Sequence, residues 1–303
     1  MTFVDMKNDV AFRKIFGNKK KTKCLISFLN AVLELEGSNQ VVKVTFIDPN
    51  LLPRIINEKA SIIDVRATDQ KGRQFIIEMQ VADKDGFAKR VQFYTAKDYS
   101  AQIQKGDSYA LLRPTYFVGI LNFPFGKNPF YHTKHLTLDQ KTGENLLSDI
   151  QFAFIQLTKF KKKEKELVTM VDKWTYFIKN ARKLAIIPDN TDDEGLQEAY
   201  NQAEQFNWSR EELRSYDSAS MREQDARGEL SFAKRVGREE GREEGREEGR
   251  EEGREEGLEK GKKEEKIEIA STSLKKGLSV LFVSEITGLS IEEVQQIADE
   301  SNK

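Results

Sequence analysis

Ser61-Ile-Ile-Asp-Val-Arg-Ala67, Thr68-Asp-Gln-Lys-Gly-Arg73 and Gln74-Phe-Ile-Ile-Glu-Met-Gln-Val81 follow one another without a break, and their reading decides the fold. Two runs rich in β-branched and apolar residues flank a polar turn that carries Gly72, the pattern of a β-hairpin. Strand side chains alternate between faces. Ile76, Glu78 and Gln80 therefore share one face, and Phe75, Ile77, Met79 and Val81 share the other. On the first strand Asp64 goes with Ile62 and Arg66. Two strand carboxylates among apolar neighbours are costly unless hydrogen-bonded, paired or metal-bound. A divalent cation between Asp64 and Glu78 accounts for both, and oxygen donors are what Mg²⁺ prefers. Solvent-facing carboxylates on a half-exposed sheet are the alternative, and the spacing by itself does not separate the two.

Before the hairpin, residues 5–17 place Val10, Ala11, Phe12, Ile15 and Phe16 at helical spacing and end at Gly17. Asn8 or Asp5 is the candidate cap, and Asp9 falls in or just before the first turn, where a carboxylate suits the free amides. A lysine-rich turn (Lys19, Lys20, Lys21, Lys23) leads into a second helix over 22–35, and Val41–Ile47 reads as a strand. The lysines are a wet surface by default and would meet phosphate if a phosphate-binding site lay beside them. Residues 48–58 read as a loop.

Beyond the hairpin, Phe87–Lys105 is expected to be a helix stopped by Gly106, with Arg90 and Tyr94 adjacent on one face. Arg113–Asn122 follows as a buried strand, as in a crossover unit. Two more strands are expected at Tyr131–Leu138 and Ile150–Leu157. The basic run Lys159–Lys165 is expected to open a helix containing Trp174. From Thr191 the composition turns polar, with short helices leading into a long charged one and no visible chemistry.

Residues 237–256 repeat Gly-Arg-Glu-Glu. A period of four against 3.6 makes like residues drift by about 40° per repeat, so no lasting apolar seam forms. Each glycine costs a helix about 1 kcal/mol relative to alanine. An exposed, marginal helix or spacer is expected, without the Gly-Lys-Ser/Thr ending of a phosphate loop. The last thirty residues or so regain a core pattern: helix, tight turn, helix, with Ser290 and Glu293 as a capping box.

Composition narrows the chemistry. The chain has 303 residues and a formal net charge of −1, so bulk charge does not announce a nucleic-acid partner. A single cysteine, Cys24, excludes an internal disulfide and a cysteine metal cluster. His132 and His135, the only histidines, lie in a strand-like run and would need carboxylate help to hold zinc. No run of about 20 apolar residues is present, so no membrane association and a soluble, cytoplasmic protein are expected.

The ordered set of motifs resembles the PD-(D/E)XK nuclease superfamily, in its branch of recombination-promoting nucleases and transposase-like proteins. The pieces are Asn8-Asp-Val-Ala-Phe-Arg-Lys-Ile-Phe-Gly17, Leu25-Ile-Ser-Phe-Leu-Asn-Ala31, Ile63-Asp-Val-Arg-Ala67, Phe75-Ile-Ile-Glu-Met-Gln80, Arg90-Val-Gln-Phe-Tyr94 and Gly106-Asp-Ser-Tyr-Ala-Leu-Leu-Arg-Pro114. The resemblance implies an α/β, restriction-endonuclease-like fold: a central mixed sheet flanked by helices, then a charged helical extension and a small C-terminal helical module. The expected division is a nuclease-like domain over 1–190, a helical extension over 191–236, the repeat helix or spacer over 237–270 and a helix-turn-helix-like module over 271–303.

It further implies a metal-dependent DNA endonuclease linked to recombination or mobile elements, with Mg²⁺ or Mn²⁺ held by Asp64, Glu78 and the Met79 carbonyl. Asp9 is implied as an additional acidic residue, and Arg90 and Tyr94 as pocket-lining, substrate-binding residues. Gln80 stands where the superfamily's defining motif has lysine, and a neutral amide can be neither a base nor a point charge. DNA is the implied partner, and a homodimer is attractive because cutting two strands with single-site subunits needs two. The competing class is a non-catalytic DNA-binding or assembly protein that keeps the nuclease fold.

Overall fold

The computed structural model describes residues 1–48, 50–51, 61–189 and 191–301. Two compact units divide it, Met1–Glu223 and Gln224–Lys303. The first is built on a six-stranded sheet. Its strands are β1 (Val44–Phe46), β4 (Val65–Asp69), β5 (Gln74–Gln80), β6 (Thr115–Leu121), β7 (His132–His135) and β8 (Ile150–Gln156), in the order β1–β4–β5–β6–β8–β7. β5, β6 and β8 pair in parallel, β4 pairs antiparallel with both β1 and β5, and β7 pairs antiparallel with β8. A separate ribbon pairs β2 (Asn50–Leu51) with β3 (Ser61–Ile62). The mixed α/β class follows from the helix α3 (Phe87–Ser100), which crosses between the parallel strands β5 and β6.

The alternation along β5 sorts the core. Phe75, Ile77 and Met79 enter the larger apolar cluster, under α1 (Asp9–Phe16), α2 (Lys23–Leu33), α4 (Met170–Asn180) and α5 (Glu194–Ala203). Ile76 enters the smaller one, with Phe87 and Val91 of α3 and with Phe117 and Phe154 of the sheet. On the larger side, Phe16 lies 4.9 Å from Phe28 and 5.7 Å from Trp174, ring centre to ring centre. Burying each such side chain is worth roughly 2–3 kcal/mol. α2 and α5 approach closely at Gly195, where a Cβ would stand 2.5 Å from the Lys23 carbonyl oxygen.

Three expectations are corrected. The strand expected over 61–67 is interrupted: β3 and β4 are separate, and Asp64 sits in a bend just before β4. Lys159–Lys165 does not open α4. That helix starts at Met170, because Thr169 and Asp172 form its capping box. α3 ends at Ser100, five residues short of the expected Lys105. The loop read over 48–58 falls mostly outside the described residues. β6, β7 and β8 are shorter than expected but occupy the expected places.

α6 (Arg210–Lys275) is a continuous helix of 66 residues that contains the whole Gly-Arg-Glu-Glu array. In the second unit, α7 (Val280–Thr287) and α8 (Ile291–Ser301) share a small core of Ala270, Val283, Leu289 and Val294. Gly288 makes the turn between them with φ +67°, a conformation glycine adopts at no steric cost. Ser290 and Glu293 bond each other's backbone N–H groups, at 3.2 and 3.0 Å.

Candidate active site

The β4–β5 pairing sets Val65 opposite Ile77 and Arg66 opposite Ile76. Continued by one place, it sets Asp64 opposite Glu78. β4 has ended there, and the Asp64 carboxylate takes over the role of the missing strand: its Oδ2 accepts the Met79 N–H at 2.9 Å. In an extended residue the N–H and C=O leave on the same side. The Met79 carbonyl therefore points to the edge where Asp64 lies, while Gln80 uses the opposite edge, accepting from Asn122 N–H of the β6 side.

Glu78 is 3% exposed. Burial pushes its carboxyl up, the Asp64 charge adds to the rise, and Arg90 and the Gln80 amide oppose it, leaving the pKa at about 7. Its register partner on β6 is Gly119, and the Phe154 ring fills the space beside that glycine; a Cβ there would stand 2.8 Å from the ring. Gln80 is held at both ends. Arg90 Nη2 donates to its Oε1 at 3.0 Å, and its Nε2 donates to Glu78 Oε2 at 3.1 Å. Arginine only donates, so the amide's orientation is fixed by its neighbours.

Asp9, exposed on the first turn of α1, lines a hollow of about 260 Å³ with Lys7, Asp64, Met79, Arg222 and Glu223. Its Oδ1 accepts the Val10 N–H at 2.9 Å. Asn8 is the cap of α1, accepting from Val10 and Ala11. Tyr94 packs on the α3-side apolar cluster, with its ring 6.1 Å from Phe93. Asp64, Glu78, Met79 and Gln80 are thus brought together, Arg90 joins them through Gln80, Asp9 lines the same hollow as Asp64, and Tyr94 packs on the cluster of Ile76 and Phe87.

Sequence reasoning missed Arg13, whose Nε and Nη2 donate to Asp64 Oδ1 at 3.2 and 2.9 Å. The signal was present: Arg13 follows Asp9 by four residues and shares its helix face. It also missed the wall supplied by α6. Asn8 Nδ2 donates to the Tyr216 carbonyl and to Ser220 Oγ, at 3.1 and 2.9 Å, and Lys14 pairs with Glu212. These interactions bring Arg222 and Glu223 to the hollow.

The donors on this edge are carboxylate and carbonyl oxygens, the chemistry of a hard divalent cation, and a cation would relieve the charge burden on Glu78. Among the described residues, no group of three or more His, Cys, Asp or Glu side chains gathers as a metal centre. Cys24 is buried, and His132 bonds the Val32 carbonyl at 2.8 Å within β7. No helix among the described residues is long and apolar enough to cross a membrane.

Residues 6–233 match the family model described as PD-(D/E)XK nuclease family transposase. No curated protein and no solved structure matches the chain.

Proposed function

We propose, from the premise that the chain belongs to the PD-(D/E)XK nuclease family, in its transposase-like branch, that it hydrolyses DNA phosphodiesters as a Mg²⁺-dependent endonuclease linked to recombination or mobile elements. The observation that carries the reading is the Met79 N–H bond to Asp64 Oδ2, which holds the Asp64 carboxylate next to buried Glu78 where β4 ends. Asp64, Glu78 and the Met79 carbonyl would hold the cation, with Mn²⁺ as a substitute. Bound there, it supplies Lewis-acid polarisation and neutralises charge developing on the phosphoryl oxygens.

The chain's own residues supply the rest. Arg90 uses one guanidinium N–H on Gln80 and has others to offer a phosphate oxygen. Gln80 fixes the Glu78 carboxylate and, being neutral, transfers no proton as lysine could; its amide orients the attacking water or a phosphate oxygen. Asp9 and Arg222 line the same hollow, where they would act as an acidic orienter and a phosphate contact.

One observation favours the non-catalytic alternative. Arg13 occupies Asp64 Oδ1, an oxygen that a cation would otherwise use. Asp64 is partly exposed and Arg13 half exposed, so that pair is worth little, and exchange for a divalent ion is inexpensive. Plasmid nicking with Mg²⁺ separates the two readings. Wild type cuts, EDTA abolishes cutting, and Asp64→Asn and Glu78→Gln each lose about a thousandfold, some 4 kcal/mol of barrier. Equal cutting by wild type and both variants would remove this site from the reaction.

A further inference from the structure

A second hollow, of about 760 Å³, lies in the first unit between the irregular run after β8 and the C-terminal half of α4. Its lining holds five lysines, Lys161, Lys162, Lys163, Lys165 and Lys179, against two glutamates. Two of the lysines are committed to the fold. Lys162 Nζ lies 2.7 and 2.8 Å from the carboxylate oxygens of buried Asp172, and Lys179 Nζ donates to the Phe160 carbonyl at 2.5 Å. Lys161, Lys163 and Lys165 are exposed, and among the described residues none of them is held in an ion pair.

The chain thus gathers cations on one concavity instead of spreading them. Burial, then the neighbouring charges of Lys161, Lys183 and Lys7, push the Lys179 ammonium below its ordinary pKa. Like charges around a half-buried amine are an electrostatic cost that a polyanion would lift. The basic surface also reaches the candidate active site. Lys7 lines the hollow of Asp9 and Asp64, and Asp5 binds Lys7 at 2.5 Å and Arg182 at 4.0 Å, on the short turn that also carries Lys183.

We infer that this cleft is a track for the phosphate backbone of duplex DNA, gripping the substrate beside the scissile position through Lys161, Lys163 and Lys165. The inference rests on the endonuclease reading and adds to it a binding surface outside the catalytic hollow. Lysines act there as point charges, without planar recognition of base edges, so the grip is independent of sequence.

The test compares the full chain with the triple variant Lys161→Ala/Lys163→Ala/Lys165→Ala and with a control triple at exposed Lys43, Lys105 and Lys141. Fluorescence anisotropy on a labelled duplex, with Ca²⁺ replacing Mg²⁺, gives affinity against salt, and plasmid cutting gives kcat and KM. The cleft variant is expected to bind about tenfold more weakly, with the salt slope reduced by about 0.9 for each phosphate it no longer neutralises. KM should rise while kcat holds, and the control should match wild type. If wild type binds and cuts, and the cleft variant keeps its affinity and slope, the track is overturned and the nuclease reading stands. If wild type neither binds nor cuts DNA, both are overturned.

Discussion

Glu78 is a buried carboxyl beside a second carboxylate, Asp64. Its folded pKa of about 7 lies above the ordinary 4.5, so between those pH values the native state holds more protons than the unfolded chain. Stability therefore falls as pH rises through that window, and the penalty is fully present above about pH 7. Glu78→Gln removes it. In EDTA at about pH 8 the variant should be more stable than wild type by on the order of 1–3 kcal/mol, and the advantage should vanish near pH 4. Urea melts at the two pH values check this; a variant less stable at both would mean that the carboxylate is held by favourable contacts instead. The same substitution that disables cutting is thus expected to strengthen the fold, the usual relation between a strained site and its scaffold.

At the scale of elements, the β4–β5 hairpin was legible because a period of two leaves little freedom once Phe75, Ile77 and Met79 must face a core. The face shared by Ile76, Glu78 and Gln80 follows from the same period. The bend at Asp64 was not legible, since it arises where β4 stops and a side chain replaces a backbone acceptor for Met79. Nor was the α6 wall: hydrogen bonds from Asn8 to Tyr216 and Ser220 join positions more than two hundred residues apart, and local pattern says nothing about such pairs. Of the two candidate caps, Asn8 and Asp5, the structure uses Asn8, whose amide also anchors α6. Asn8→Ala should therefore cost about 1–2 kcal/mol as a lost cap, seen as a lower melting temperature. It should also lower cutting severalfold at temperatures where the variant is fully folded, because the stretch of α6 that lines the hollow loses its hydrogen bonds to Asn8. Unchanged cutting in the folded variant would take the α6 wall out of the site.

For the whole molecule, charge and glycine content explain what composition alone obscured. A net charge of −1 combines a glutamate-rich array with a basic first unit, so the average says nothing about the partner of either part. The array is helical despite a glycine every fourth residue, and a Cβ built at Gly237, Gly241, Gly245, Gly249 or Gly253 meets no heavy atom within 4 Å. No packing requirement selects glycine there in a single chain. Replacing these five by alanine should raise the thermal stability of the helix by about 1 kcal/mol per site, read from far-UV circular dichroism, and leave the melting of the first unit unchanged. A loss of helicity would show that close packing between copies holds the array.

The central claim is that Asp64 and Glu78 together hold a hard cation, and calorimetric titration of the metal-free protein with Mn²⁺ tests it most directly. We expect uptake at about pH 8 that weakens as pH falls below about 7, where Glu78 keeps its proton, and that disappears in folded Asp64→Asn and Glu78→Gln. Uptake of unchanged affinity in both variants, or none by wild type even with DNA present, would contradict the account.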